Sequence, residues 1–247
     1  MFEFREVSKA FGDHPVFSRL SLTLHDREIT YIIGSSGTGK SVLIKLGLGL
    51  IHPDEGRILV DGQDVTDLSE AAWRPIRKRN VLVFQHSTLF DSMTLRENVA
   101  LPLRRHAGLS RQAALDHAVE YLELMQMADQ ADRMPQEIGP SERKRAAIAR
   151  ALALSPQCAI LDEPTTGLDV LTAASVDEVI VRLGRVLGKT VIVVSHDIRS
   201  IFGVADRIIF LYKGQVHLDG SPGDFRESTD PVVRQFVNGD ASGPMET

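Results

Sequence analysis

Residues 29–33, Ile-Thr-Tyr-Ile-Ile, run straight into Gly34-Ser35-Ser36-Gly37-Thr38-Gly39-Lys40-Ser41, and an apolar helical pattern follows to Leu50. This junction constrains the fold more than any other stretch. A continuous β-branched and aromatic run is what a strand covered on both faces requires. Strand, glycine loop and helix in that order make a βα unit. Gly34-x-x-x-x-Gly39-Lys40-Ser41 fits the phosphate-binding loop pattern in full. Glycines let the backbone curl so that successive N–H groups point at phosphate oxygens. The helix N-terminus adds partial positive charge. Lys40 supplies a point charge to the phosphates, and the Ser41 hydroxyl is a candidate Mg²⁺ ligand.

Further buried-strand runs occur at 81–84, 159–161 and 191–194, each ending on polar residues. Those residues are Gln85, the pair Asp162-Glu163, and Ser195-His196. A fifth run spans 208–211, and Leu20, Leu22 and Leu24 alternate with polar neighbours as a half-buried strand does. In open parallel sheets the ligand lies outside the carboxyl ends of the strands. Lys40, Gln85, Asp162, Glu163 and His196 are therefore expected on one rim. Asp162 is suited to hold a Mg²⁺ shell, and Glu163 to polarise an attacking water as general base. Gln85 and His196 are candidates to sense that water and the γ-phosphate. Residues 91–154 have few β-branched runs and a long helical periodicity, which predicts a helical sub-domain inserted between two strands. Residues 238–247 contain Gly, Ser and Pro and are read as a mobile tail.

Composition removes several classes. The 28 Lys plus Arg against 33 Asp plus Glu leave a formal net charge of −5, which argues against holding nucleic acid by phosphate neutralisation. A single cysteine, Cys158, excludes an intrachain disulfide framework and a multi-cysteine zinc site. No stretch approaches the ~18 to 20 apolar residues of a membrane span. Residues 1–8 lack the apolar run of a signal peptide, so a cytoplasmic α/β protein is expected.

Together these residues resemble the nucleotide-binding subunit of an ABC transporter, over residues 2–223. The matching motifs are the P-loop 34–41, the Q-loop Gln85, Leu161-Asp162-Glu163-Pro164, Gly167-Leu168-Asp169 and the switch His196. The resemblance implies a P-loop NTPase fold of the ABC type over residues 1–237. It has an N-terminal antiparallel β subdomain and an inserted helical subdomain. It implies ATP and Mg²⁺ as cofactors, with Ser41, Gln85 and Asp162 around the metal. It implies that Phe11 stacks on adenine and that Asp169 faces the second copy of a head-to-tail dimer. One motif is damaged. Where the family has a Leu-Ser-Gly-Gly-Gln-like signature that caps the facing subunit's γ-phosphate, this chain has Ile138-Gly139-Pro140-Ser141-Glu142. Pro140 lacks a backbone N–H, and Glu142 brings a negative charge. The expectation is a weakened contact from Gly139, or its partial replacement by Ser141 or Arg143.

A closer similarity narrows the branch. Arg77-Lys78-Arg79, Phe84-Gln85, Leu89-Phe90, Met93, Glu97-Asn98-Val99-Ala100, Pro102-Leu103-Arg104 and residues 230–239 are similar to the ATPase of Mla-type, Mce-associated phospholipid transporters. That similarity implies a multi-span permease, a periplasmic Mce-type substrate-binding protein and a small cytoplasmic regulatory subunit as partners. It also implies a peripheral place on the cytoplasmic side of the inner membrane of a diderm cell. Two alternatives stay open: an importer ATPase for another solute, and a low-turnover nucleotide-binding scaffold suggested by the degenerate signature. ABC ATPases of DNA repair or translation carry tandem cassettes or long coiled-coil insertions, and this sequence has neither.

Overall fold

The computed structural model describes residues 1–240 and 242–245. The first elements are β1 (Phe2–Phe11), β2 (His14–Leu24), β3 (Ile29–Ile33), α1 (Lys40–Gly47), β4 (Glu55–Val60), β5 (Gln63–Asp64) and α2 (Glu70–Arg79). There follow β6 (Asn80–Val83), α3 (Leu95–His106), α4 (Arg111–Leu124), α5 (Pro140–Leu152), β7 (Cys158–Asp162) and α6 (Val170–Val181). The chain ends with β8 (Thr190–Val194), α7 (Ile198–Val204), β9 (Arg207–Tyr212), β10 (Gln215–Gly220), α8 (Pro222–Glu227) and α9 (Pro231–Asn238). It divides into two compact units, Met1–Trp73 with Ile192–Thr247, and Arg74–Val191.

In the first unit β2, β1, β4 and β5 form an antiparallel sheet in that order. The alternation seen in the sequence sets its register. Phe2 pairs with Leu24, Phe4 with Leu22 and Val7 with Leu20, and all six side chains are buried. A slip of one residue would turn this apolar set to solvent. In the same unit β3 pairs in parallel with β9, and β9 pairs antiparallel with β10. Every residue of β3 is buried, as its unbroken apolar run requires. The helix after the glycine loop stops at Gly47, earlier than the apolar pattern to Leu50, and Gly49 follows at φ 60°.

The segment read as a mobile tail is held where it is described. Met245 N–H donates to Gln235 Oε1 at 2.7 Å, and the Tyr212 hydroxyl donates to the Pro244 carbonyl at 3.3 Å. Residues Ala241, Glu246 and Thr247 of that reading lie outside the described residues.

In the second unit β6 and β7 run parallel, with Val83 opposite Leu161. Helices α3, α4 and α5 lie between these two strands in sequence and pack on one another. Thr94 caps α3 through the Glu97 N–H, while Glu97 accepts from the Thr94 N–H. Pro102 lies inside α3. The N–H it lacks is the one that would bond the Asn98 carbonyl. Asn98 itself is fully buried and organises the loop before the helix. Its Oδ1 accepts from Phe90 N at 2.8 Å, and its Nδ2 donates to the Phe90, Met93 and Thr94 carbonyls.

Replacing Asn98 with Ala strands these main-chain groups in a buried place. Asn98→Ala is expected to lower unfolding stability by about 2–3 kcal/mol. Urea denaturation of the full chain measures this, and a loss under about 0.5 kcal/mol would show that the loop finds other partners.

Candidate functional site

The glycine loop is built by close approach. A Cβ on Gly39, at φ 94°, would stand 2.6 Å from Phe17 Cζ and 2.7 Å from Val16 Cγ1. A Cβ on Gly34 would stand 2.5 Å from the Leu211 carbonyl oxygen. Only glycine meets both conditions without moving the strands beneath. The Thr38 hydroxyl donates to the Ser35 carbonyl at 2.9 Å and ties the loop across itself. Lys40, buried, donates from Nζ to the carbonyls of Gly34 at 2.7 Å and Ser35 at 2.8 Å. Its ammonium is thus folded over the loop. Ser41 follows in the first turn of α1, whose N-cap, Gly39, offers no side chain to its N–H groups. A helix N-terminus of this kind suits an anion.

A cavity of about 480 Å³ lies beside this loop, lined by Ser35, Ser36, Gly37 and Thr38 together with Val16, Phe17, Tyr212 and Lys213. Phe11 does not line it. The Phe11 ring stands at the end of the β1–β2 hairpin, about half exposed, with Lys9 Nζ 5.4 Å from its centroid. The ring therefore lies outside the core. His196 is exposed and lies between β8 and α7. Ser195 N–H donates to the Ile32 carbonyl at 3.3 Å, which fixes the chain just before it to β3.

The other half of the expected set belongs to the second unit. The parallel register of Val83 against Leu161 brings Gln85 and Glu163 to neighbouring strand ends. Glu163 sits at φ 50°, in the left-handed region, directly after β7. A non-glycine residue there carries backbone strain of about 1–3 kcal/mol, and such strain gathers at functional sites. Its Oε2 accepts from the Thr166 hydroxyl at 2.9 Å. Gln85 is exposed, and its carbonyl accepts a hydrogen bond from Lys144 Nζ. Lys144 is only 4% exposed. Burial pushes its ammonium pKa down, while the carboxylates of Asp162 and Glu163 push it up. Sequence reasoning missed Lys144, Asn98 and Arg150. A basic residue on the inner face of a helix of small apolar residues was the available signal.

Asp169 caps α6. Its carboxylate accepts from Leu171 N and Thr172 N, both at 3.0 Å, and from the Thr172 hydroxyl. These bonds, with the hydroxyl first, hold its pKa below the usual carboxylate value.

The degenerate signature forms a well-made helix start. Gly139 is the N-cap of α5 and Pro140 its first residue, where a missing N–H breaks no helical bond. Glu142 turns back on the cap, accepting from Gly139 N at 2.5 Å and from Gln130 Nε2 at 3.1 Å. Ser141 is buried, with its Oγ 3.0 Å from Ser175 Oγ. Arg143 is exposed. The Ser141 hydroxyl would have to leave Ser175 to reach any phosphate.

Two outcomes follow from this segment. The Gly139 N–H, then the Gln130 amide, hold the Glu142 carboxyl below its ordinary value of 4.5. A native pKa below the unfolded one stabilises fully above about pH 4.5 and is lost as pH falls through the native value. Thermal melts between about pH 5 and 3 should therefore fall less steeply for Glu142→Gln than for the parent, and equal slopes would contradict it. Changing Gly139-Pro140-Ser141 to Ser-Gly-Gly should raise the ATP turnover rate; an unchanged rate would mean that the signature is not weakened.

The comparisons with known proteins give one answer. Residues 17–166 match the family model of the ABC transporter. The chain is 37% identical to the intermembrane phospholipid transport system ATP-binding protein MlaF of Escherichia coli (strain K12), over 98% of this chain and 90% of that one. It is 35% identical to a probable ribonucleotide transport ATP-binding protein, mkl, of Mycobacterium leprae, over 98% of this chain and 70% of that one. Among solved structures it resembles the ATP-binding cassette MJ0796, solved as a dimer in a post-hydrolysis state bound to ADP and Pi. The TM-score is 0.80 at 30% identity, covering 90% of this chain and 99% of that one. The glycine loop with its folded lysine and the strained glutamate after a buried strand thus sit in a familiar frame: the chain belongs to the ABC transporter family and is an ATP-binding cassette ATPase.

Proposed function

We propose that this chain is the ATP-hydrolysing subunit of a phospholipid transporter in the envelope of a diderm bacterium. The observation that carries this reading is the near end-to-end match to the phospholipid transport ATP-binding protein, 37% identical over 98% of the chain. No helix among the described residues is long and apolar enough to cross a membrane. The spans are therefore assigned to a separate permease, with this chain peripheral on its cytoplasmic face. A second copy binds head to tail. A periplasmic Mce-type protein and a small cytoplasmic regulatory subunit complete the complex.

Each residue has a task in this reading. Phe11 stacks on adenine. The N–H groups of 34–39 cradle the phosphates, and Lys40 places its charge on the β- and γ-phosphates. Glu163 orients and deprotonates the attacking water. His196 holds the γ-phosphate as charge develops on it. Asp169 faces the second copy, and the Gly139–Ser141 turn faces that copy's nucleotide. Ser41, Gln85 and Asp162 offer oxygen donors only, which suits Mg²⁺. No group of three or more His, Cys, Asp or Glu able to hold a metal occurs among the described residues. When bound, Mg²⁺ supplies charge neutralisation on the phosphates.

Glu163→Gln keeps an acceptor for the Thr166 hydroxyl and removes the base. It should lower kcat by about 10²- to 10⁴-fold while ATP still binds. Lys40→Ala should abolish nucleotide binding. Glu163→Gln turning over within about threefold of the parent would sink the general-base role. The cargo is tested by purifying the chain with its permease and identifying co-purified lipids by mass spectrometry. Phospholipid in the complex, with phospholipid vesicles stimulating hydrolysis, is the expected result. The match to the protein named for ribonucleotide transport favours a second reading, an ATPase serving a polar solute. Stimulation by ribonucleotides with no bound phospholipid would decide for it.

A further inference from the structure

Lysine is almost never buried without a partner, because its desolvated charge is costly. Lys144 is 4% exposed on the inner face of α5, the helix that opens with the degenerate signature. Methionine or leucine would fill the same volume without that cost, so the ammonium is there for what it touches. It donates to the main-chain carbonyl of Gln85. Six residues further along α5, Arg150 repeats the contact. Its Nη1 donates to the Thr88 carbonyl at 2.8 Å and its Nη2 to the Thr88 hydroxyl at 3.0 Å. The Arg150 guanidinium also stands 5.8 Å from the Phe90 ring centroid. The segment from Gln85 to Phe90 has no helix or strand of its own. Its far end is fixed by Asn98, and its near end and middle by two cations from one helix.

We propose that Lys144 and Arg150 clamp the 85–90 segment to α5, and that Lys144 is a positioning residue whose effect on hydrolysis passes through Gln85. The clamp fastens the main chain and leaves the Gln85 side chain exposed to reach its target. Signature helix and Gln85 then shift as one piece, so a movement at either end reaches the other. The proposal rests on the assignment of Gln85 to the hydrolytic site made above. Gln85 touches the reacting groups in that assignment, and Lys144 does not.

A double-mutant cycle tests it, using the full chain assembled with its permease. Lys144→Met is expected to lower kcat about tenfold and to leave KM for ATP within about twofold, since the phosphate loop is untouched. Lys144→Arg, which keeps both charge and donor, is expected to restore kcat to within about threefold of the parent. Gln85→Ala should lower kcat by itself. In that background Lys144→Met should cost under about twofold more, because the side chain it positions is gone. A full tenfold further loss there, no loss in the single variant, or no rescue by arginine would overturn the clamp's role. Gln85→Ala turning over like the parent would instead overturn the assignment of Gln85, and the proposal with it. Melting temperatures of each variant separate lost positioning from lost folding. Should Lys144→Met fail to fold, Lys144→Gln, which keeps a donor without the charge, takes its place in the cycle.

Discussion

The turn from β3 into α1 has no room for side chains at either end, and the first unit is organised around that shortage. At Gly39 the backbone lies against Val16 and Phe17, and at Gly34 against the Leu211 carbonyl. Strands β2 and β9 therefore bound the loop, and their positions are fixed in turn by buried pairing of β1 with β2 and of β3 with β9. A loop pinned in this way presents its N–H groups as a fixed cradle. The Lys40 Nζ lies on the carbonyls of Gly34 and Ser35, which holds its positive charge against the loop.

The second unit uses strain for a similar end. Glu163 at φ 50° is held in a conformation that a relaxed chain avoids, and its carboxylate is steadied by the Thr166 hydroxyl. The parallel partner strand brings Gln85 beside it. Burial lowers the Lys144 pKa, the carboxylates of Asp162 and Glu163 offset part of that fall, and its ammonium holds the Gln85 carbonyl. One buried cation thus serves a pair of carboxylates and the main chain of a neighbouring loop. A low-dielectric setting strengthens each of these attractions, and makes the loss of any one of them more damaging.

Much of this was legible in the sequence because the signals were local. An unbroken β-branched run ending in glycines, an acid pair after Ile160-Leu161, and alternating leucines each depend on residues a few positions apart, and β3, β7 and β2 follow. Phe11 was legible as a position, but its exposure was not. The clamp residues were illegible for a physical reason. Lys144 and Gln85 are 59 residues apart, and Arg150 and Thr88 are 62. Each contact ends on a main-chain carbonyl, and a carbonyl leaves no trace in residue identity. Asn98 was hidden in the same way, since three of its four bonds go to carbonyls. The mobile tail was a compositional reading, and composition does not register that Gln235 can bond both the N–H and the carbonyl of Met245.

The signature segment shows how a damaged motif can still be a consistent piece of structure. Read against a family pattern, Gly139-Pro140-Ser141-Glu142 has lost a capping serine, lost an N–H and gained a charge. Read as a helix start, each residue fits. Proline occupies the first helical position, where no intrahelical donor is required. The Gly139 N–H is satisfied by Glu142, which also complements the positive end of the helix. Ser141 is satisfied by Ser175 on α6. The polar groups of this turn are paired with one another and with α6. The same helix carries Lys144 and Arg150, which hold main-chain carbonyls of the 85–90 segment, so the altered signature and the Gln85 loop are tied to one element.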